Sequence, residues 1–113
     1  MRVPVPEQIP AAAELGHVHF VGIGGAALSG IARIMLARGV RVSGCDAQDS
    51  VSLRAVRALG ADCSVGHSAD HITGVDTLVV STAVREDNPD VVAALAAGVR
   101  LLPRSAALES VMQ

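Results

Sequence analysis

The chain has 113 residues, half of them apolar, and sets nine Arg against eleven Asp and Glu for a net charge of −2. That length fits one domain, and it removes enough surface from water to build a core without disulfides or a structural metal. With no basic excess to draw a phosphate backbone, and with one Phe and no Tyr or Trp on which bases could stack, nucleic acid is excluded as a first partner.

Residues 1–16 carry Pro4, Pro6 and Pro10 and an Ala-rich patch ending at Gly16. They show neither strand alternation nor a long helical period, and read as a leader or short helix before a compact unit over 17–113. Residues 17–22 (HVHFVG) form an apolar run stopped by glycine, the pattern of a buried strand. A helix is predicted over 24–38, where Leu28, Ile31, Ala32, Met35 and Leu36 share one face and Gly39 closes the last turn. A second strand over 40–45, a helix over 50–59 capped by Ser50 and ended by Gly60, and a third strand over 61–65 follow. Residues 75–81 (VDTLVVS) predict the fourth strand, 89–97 a helix with Pro first and Gly98 after its end, 99–102 a fifth strand and 105–112 a last helix.

Strands alternating with helices pair in parallel. Right-handed crossovers then give an α/β, Rossmann-like, doubly wound five-stranded sheet in the order 3-2-1-4-5. Such sheets bind ligands at the carboxyl ends of their strands, where the winding reverses. No apolar run approaches the roughly 20 residues that span a bilayer, so no membrane partner is expected. Cys45 and Cys63 lack C-x-x-C spacing, and residues 1–10 lack a signal-peptide pattern. A reducing, cytoplasmic setting is expected.

Gly22-Ile23-Gly24-Gly25-Ala26-Ala27 satisfies G-x-G-x-x-[GA] directly after a strand and at the opening of a helix. Gly22 permits the tight turn, Gly24 and Gly25 let main-chain N–H groups approach a ligand, and the small Ala27 lets helix and sheet come close. Unpaired amides at the positive end of the helix dipole can hold a diphosphate without lysine. The chain has no Lys at all, so a phosphate-loop or Schiff-base lysine is excluded. Nineteen residues beyond Ala27 stands Asp46, where an acid accepts hydrogen bonds from ribose hydroxyls. A glycine-rich packing turn and a plain turn or cap aspartate are the competing readings of these two features. On them alone, a nicotinamide cofactor is the default ligand.

The longer string His19-Phe20-Val21-Gly22-Ile23-Gly24-Gly25, followed by Ser29-Gly30-Ile31-Ala32, resembles the start of the Mur ligases. Val42-Ser43-Gly44-Cys45-Asp46, Gly66-His67, Ser81-Thr82-Ala83-Val84 and Asp87-Asn88-Pro89-Asp90 match that family in order, from about Val18 to Met112. The resemblance implies a cytoplasmic, three-domain enzyme of peptidoglycan synthesis. Its N-terminal domain takes the UDP-sugar, a central domain takes ATP, and a C-terminal domain engages the amino acid; this chain is similar to the first alone. The S-G-I-A run and the D-N-P segment are most similar to the member that adds L-alanine to UDP-N-acetylmuramate with ATP and Mg²⁺. No cofactor is expected on this stretch itself. Two departures stand out: Ala27-Leu28 replaces a usual Gly-Met, which narrows the approach to the loop, and Cys45 stands where Ser is common.

Carried over residue by residue, the resemblance implies that the amides of Gly24, Gly25, Ala26, Ala27, Leu28 and Ser29 bind the diphosphate. Asp46 would hold the uridine ribose or base edge, and His67 the uridine end unless it is a solvated turn residue. Ser81, Thr82 and Ala83 leave the fourth strand where the diphosphate or sugar would pass. Asn88 contacts ligand or caps the helix at Pro89, and Arg104 meets a carboxylate or phosphate or forms an exposed salt bridge. Glu86, Asp87 and Asp90 read as a solvated helix start, His17 and His19 as satisfied core or edge residues, His71 as standing alone, and both cysteines as small buried hydrophobes. No metal cluster or catalytic residue emerges. An NAD-binding domain of an oxidoreductase, which does not account for residues 81–90, and a non-enzymatic nucleotide sensor remain the alternatives.

Overall fold

The computed structural model describes residues 1–113. Five parallel strands form one sheet, in the order predicted: β1 (Val18–Val21) lies at the centre between β2 (Val42–Asp46) and β4 (Thr77–Val80), with β3 (Asp62–Val65) and β5 (Arg100–Pro103) at the edges. Val21 lies opposite both Cys45 and Val80. The carboxyl ends of the three central strands therefore meet at one rim, and most of the predicted site residues lie just beyond it.

Side-chain alternation along the strands divides the molecule into two unequal sides. Val18 and Phe20 face a cluster of 19 buried apolar residues shared with α1 (Ala26–Ala37), α2 (Val51–Ala58) and α4 (Arg104–Met112). Full burial of a side chain such as Phe20 contributes about 1.5–3 kcal/mol. Val21 faces the other side, where a cluster of nine includes Ile72 of a 3-10 turn (Ala69–Ile72) and Val91 and Ala94 of α3 (Pro89–Ala97).

The predicted punctuation is present. Ser50 accepts a hydrogen bond from the Leu53 amide at the head of α2, Pro89 opens α3, and Gly98 ends it with φ of 72°. α3 matches the sequence reading, and the other strands and α-helices differ from it by one or two residues at one or both ends. Two of these shifts bear on the site: Asp46 is the last residue of β2, and Arg104 is the first of α4.

The stretch read as a leader carries a short 3-10 turn, Ala12–Glu14, and lies against the domain. Ala12 and Leu15 belong to the larger apolar cluster and Val3 to the smaller. The Ser110 hydroxyl donates to the Pro10 carbonyl at 2.7 Å, and the Thr77 hydroxyl to that of Leu15 at 2.8 Å.

Candidate functional site

Two adjoining cavities of about 640 and 620 Å³ share Gly22, Gly25 and Ser81 and together form a crevice over the carboxyl rim. Each is of a size that takes a small ligand. The first holds the head of α1 at Gly25, Ala26, Ala27 and Leu28, with Thr82 and Arg104 opposite. The second is lined by Asp46, His67, Ala83 and Asn88.

The amide cradle is narrower than the resemblance implies. The Gly24 N–H donates to Asp46 Oδ2 at 2.9 Å, the Gly25 N–H to the Gly22 carbonyl at 3.0 Å, and the Ser29 N–H to the Gly25 carbonyl at 2.9 Å. The Ser29 hydroxyl also turns back, donating to the Ala26 carbonyl at 3.1 Å. Gly24, Gly25 and Ser29 therefore shape the turn and have no amide left for an anion. The N–H groups of Ala26, Ala27 and Leu28 make no hydrogen bond within the chain and stand at the positive end of the helix dipole. Gly25, Ala26 and Ala27 are exposed and Leu28 is buried, and residues 1–5 line the same cavity.

The two carboxylate oxygens of Asp46 differ in this geometry. One carboxylate oxygen fixes the glycine loop through Gly24, while Oδ1 makes no hydrogen bond within the chain and is left to the cavity. A Cβ at Gly24 would sit 2.9 Å from Asp46 Oδ2 and 2.8 Å from Ser50 Oγ, so a larger residue would have to displace the acid or the cap. Asn88 is the cap of α3, its side-chain oxygen accepting from the Asp90 amide at 2.9 Å, and it also lines the crevice. Arg104 corrects the salt-bridge reading: the arginine–carboxylate pairs of the chain are Arg54–Asp49 and Arg85–Asp87, and Arg104 is exposed and unpaired at the cavity.

A second correction concerns the start of α3. Glu86 and Asp87 are exposed, but Asp90 is fully buried and belongs to no solvated helix start. Its Oδ2 lies 2.8 Å from His19 Nε2, 2.9 Å from His71 Nδ1 and 3.3 Å from Cys45 Sγ, and its Oδ1 accepts from the Ser68 amide at 2.8 Å. Burial alone would raise the Asp90 carboxyl, but the contacts from His19, His71, Ser68 and Cys45 outweigh it and hold the group well below the usual carboxylate range. His71 therefore does not stand alone, and Cys45 is more than a small hydrophobe. Burial first, then the neighbouring Asp90, pushes its thiol far up. His67 joins the edge of this group, with Nδ1 3.2 Å from Cys45 Sγ, and connects it to the crevice.

Strand parity was the signal for half of this cluster. His19 pairs in register with Ser43, so Cys45, two residues further on, projects from the same face. Nothing in the local sequence shows that the 3-10 turn and the head of α3 fold back over that face.

The model of the Mur ligase family, catalytic domain, matches residues 17–113. The chain belongs to the Mur ligase family. Within it, the chain is 66% identical over 112 residues to the UDP-N-acetylmuramate–L-alanine ligase of Nocardioides sp., a match that covers 99% of this chain and 25% of the relative. The Thermobifida fusca enzyme of the same name is 54% identical, over 88% of this chain and 21% of its own length. Among solved structures, UDP-N-acetylmuramate-alanine ligase MurC from Thermotoga maritima superposes with a TM-score of 0.81 at 32% identity, over 85% of this chain and 22% of that one. The chain thus spans about a quarter or less of the length of these three relatives.

Proposed function

We propose that this chain is the UDP-N-acetylmuramate-binding N-terminal domain of the cytoplasmic, ATP-dependent ligase that adds L-alanine to that nucleotide sugar in peptidoglycan synthesis. The observation that carries the reading is the divided crevice. Its lysine-free cradle at Ala26, Ala27 and Leu28 adjoins a lobe where the acid Asp46 and the imidazole of His67 stand together.

In this arrangement the three amides and the Arg104 guanidinium hold the diphosphate. Asp46 accepts from ribose hydroxyls and His67 meets the uridine end. Ser81, Thr82 and Ala83 run beside the phosphates and the sugar, and Asn88 borders the nucleoside lobe. No residue here performs chemistry. Anchoring the remote nucleotide would deliver the muramic carboxylate to other domains of the whole protein, where ATP and Mg²⁺ would supply the phosphoryl group that activates it, with ADP released, and the amine of L-alanine would then displace phosphate. Binding energy far from the reacting atoms serves catalysis in this way by orientation. The NAD-binding alternative leaves residues 81–90 unexplained, although Ser81, Ala83 and Asn88 line the crevice.

Isothermal calorimetry on the chain with UDP-N-acetylmuramate, UDP and NAD tests the reading. Saturable binding of the two uridine nucleotides without NAD is expected. Binding of NAD in the absence of uridine nucleotide binding would overturn it.

A further inference from the structure

The group around Asp90 combines four donors from four separate elements: His19 on β1, Cys45 on β2, His71 on the 3-10 turn and Asp90 on α3. One ligand-type atom from each lies within 4.8 Å of all the others, and three of the four residues are buried. We propose that these four side chains form a binding site for a thiophilic divalent cation, Zn²⁺ in the first instance, distinct from the nucleotide crevice.

The donor set decides the class of ion. Two imidazoles, one thiolate and one carboxylate suit a closed tetrahedral Zn²⁺ site, whereas Mg²⁺ takes six oxygens. Zn–S of about 2.3 Å and Zn–N of about 2.0 Å imply tetrahedral edges of about 3.6 Å between sulfur and nitrogen and about 3.3 Å between the lighter donors. The Cys45 Sγ to His19 Nε2 distance is 3.6 Å. The edges from Asp90 Oδ2 to His19 and His71, 2.8 and 2.9 Å, need to open by about half an ångström, within reach of a side-chain torsion.

The hydrogen bonds of the cluster crowd onto one atom. Asp90 Oδ2 offers two lone pairs, yet three donor-type atoms converge on it from His19, His71 and Cys45. A cation in their midst replaces that oversubscribed oxygen with four separate bonds.

Outer partners are in place as well. Ser68 N–H holds Asp90 Oδ1 and leaves Oδ2 for one metal bond. Ser43 Oγ lies 2.7 Å from both His19 Nδ1 and His17 Nε2. With His19 donating its Nδ1 proton to Ser43, and the Ser43 hydroxyl donating to a neutral His17, the lone pair at His19 Nε2 faces the site. Binding then forms bonds to sulfur, two nitrogens and one oxygen, while the S–H proton of Cys45 and any proton that His19 Nε2 or His71 Nδ1 holds toward Asp90 leave to solvent. His67, partly exposed at the crevice and 3.2 Å from Cys45 Sγ, marks the route of entry.

The test is a titration of the metal-stripped chain with Co²⁺, followed by displacement with Zn²⁺. One equivalent should bind, with a thiolate-to-cobalt charge-transfer band in the near ultraviolet and strong visible bands of tetrahedral cobalt, all abolished by Zn²⁺. Cys45→Ser should lose the charge-transfer band, Cys63→Ser should keep it, and His71→Ala, at a half-buried position, should weaken binding at least tenfold. Circular dichroism establishes that each variant is folded. If Cys45→Ser does not fold, His71→Ala decides: tenfold weaker binding supports the site and unchanged binding overturns it. Absence of one-to-one binding, or a band that follows Cys63, also overturns it. Uridine nucleotide affinity of the metal-stripped chain, measured in parallel, tests the crevice separately.

Discussion

Asp46→Ala tests the double duty assigned to that acid. The change removes the acceptor of the half-buried Gly24 amide, 2.9 Å away, together with the free oxygen facing the nucleoside lobe. Leaving a buried donor unpaired costs about 1–3 kcal/mol, and the partial exposure of Gly24 places this case near about 1 kcal/mol. For a domain of this size that is a fall in Tm of about 4–8 °C. Loss of hydrogen bonds from ribose hydroxyls to a charged acceptor removes about 1.5–3 kcal/mol of binding energy, or about 10- to 100-fold in Kd. Asp46→Asn separates the two effects, since its amide oxygen still accepts from Gly24 while the charge is gone: Tm should stay near that of the parent and the affinity should still fall. Thermal melts followed by circular dichroism and calorimetry with UDP read both quantities. Unchanged affinity in Asp46→Ala would remove Asp46 from the ligand site, and an unchanged Tm would show that its contact with Gly24 contributes nothing.

Arg104→Ala should leave stability within about 0.5 kcal/mol, because the side chain is exposed and unpaired, while weakening UDP affinity about tenfold through loss of a charge-assisted contact; calorimetry beside a urea melt checks both. Gly44→Ala brings a Cβ against the Ile23 side chain, and the overpacking should cost about 1–3 kcal/mol, seen as a lower urea midpoint with the slope unchanged. Ser50→Ala removes the α2 cap that accepts from Leu53 at 3.1 Å and should cost about 1 kcal/mol in the same melt.

The order of the sheet was legible because the relevant signals are local: glycines after α1, α2 and α3, Pro89 at the head of α3, and short apolar runs between them. The carboxyl-rim site was legible for the same reason, since a strand-to-helix glycine turn and an acid at the end of the next strand fix their own positions. Which amides remain free was not legible. That depends on Asp46 reaching back 22 residues to Gly24, and on the first turn of α1 taking up the Ser29 amide. Asp90 was misread because an acid two residues after an Asn cap ordinarily faces water. Only the packing of α3 against the 3-10 turn and β1 buries it, through partners up to 71 residues away. Arg104 illustrates the opposite error, an arginine expected to find an acid and left without one.

The division of apolar residues between the two faces of the sheet, 19 against nine, also governs how the domain loosens. Breathing motions begin where least hydrocarbon is lost from the interior. α3 and the 3-10 turn are tied down as much by the polar spoke of Asp90 as by oil, so their amides should exchange with deuterium ahead of those in α1. Because His67 and Asn88 flank that spoke, the lobe of the groove lined by Asp46 would inherit the looseness while the lobe at the head of α1 stays anchored to the heavier half. A ligand entering phosphate first would then find a rigid foothold before the softer wall settles around its base.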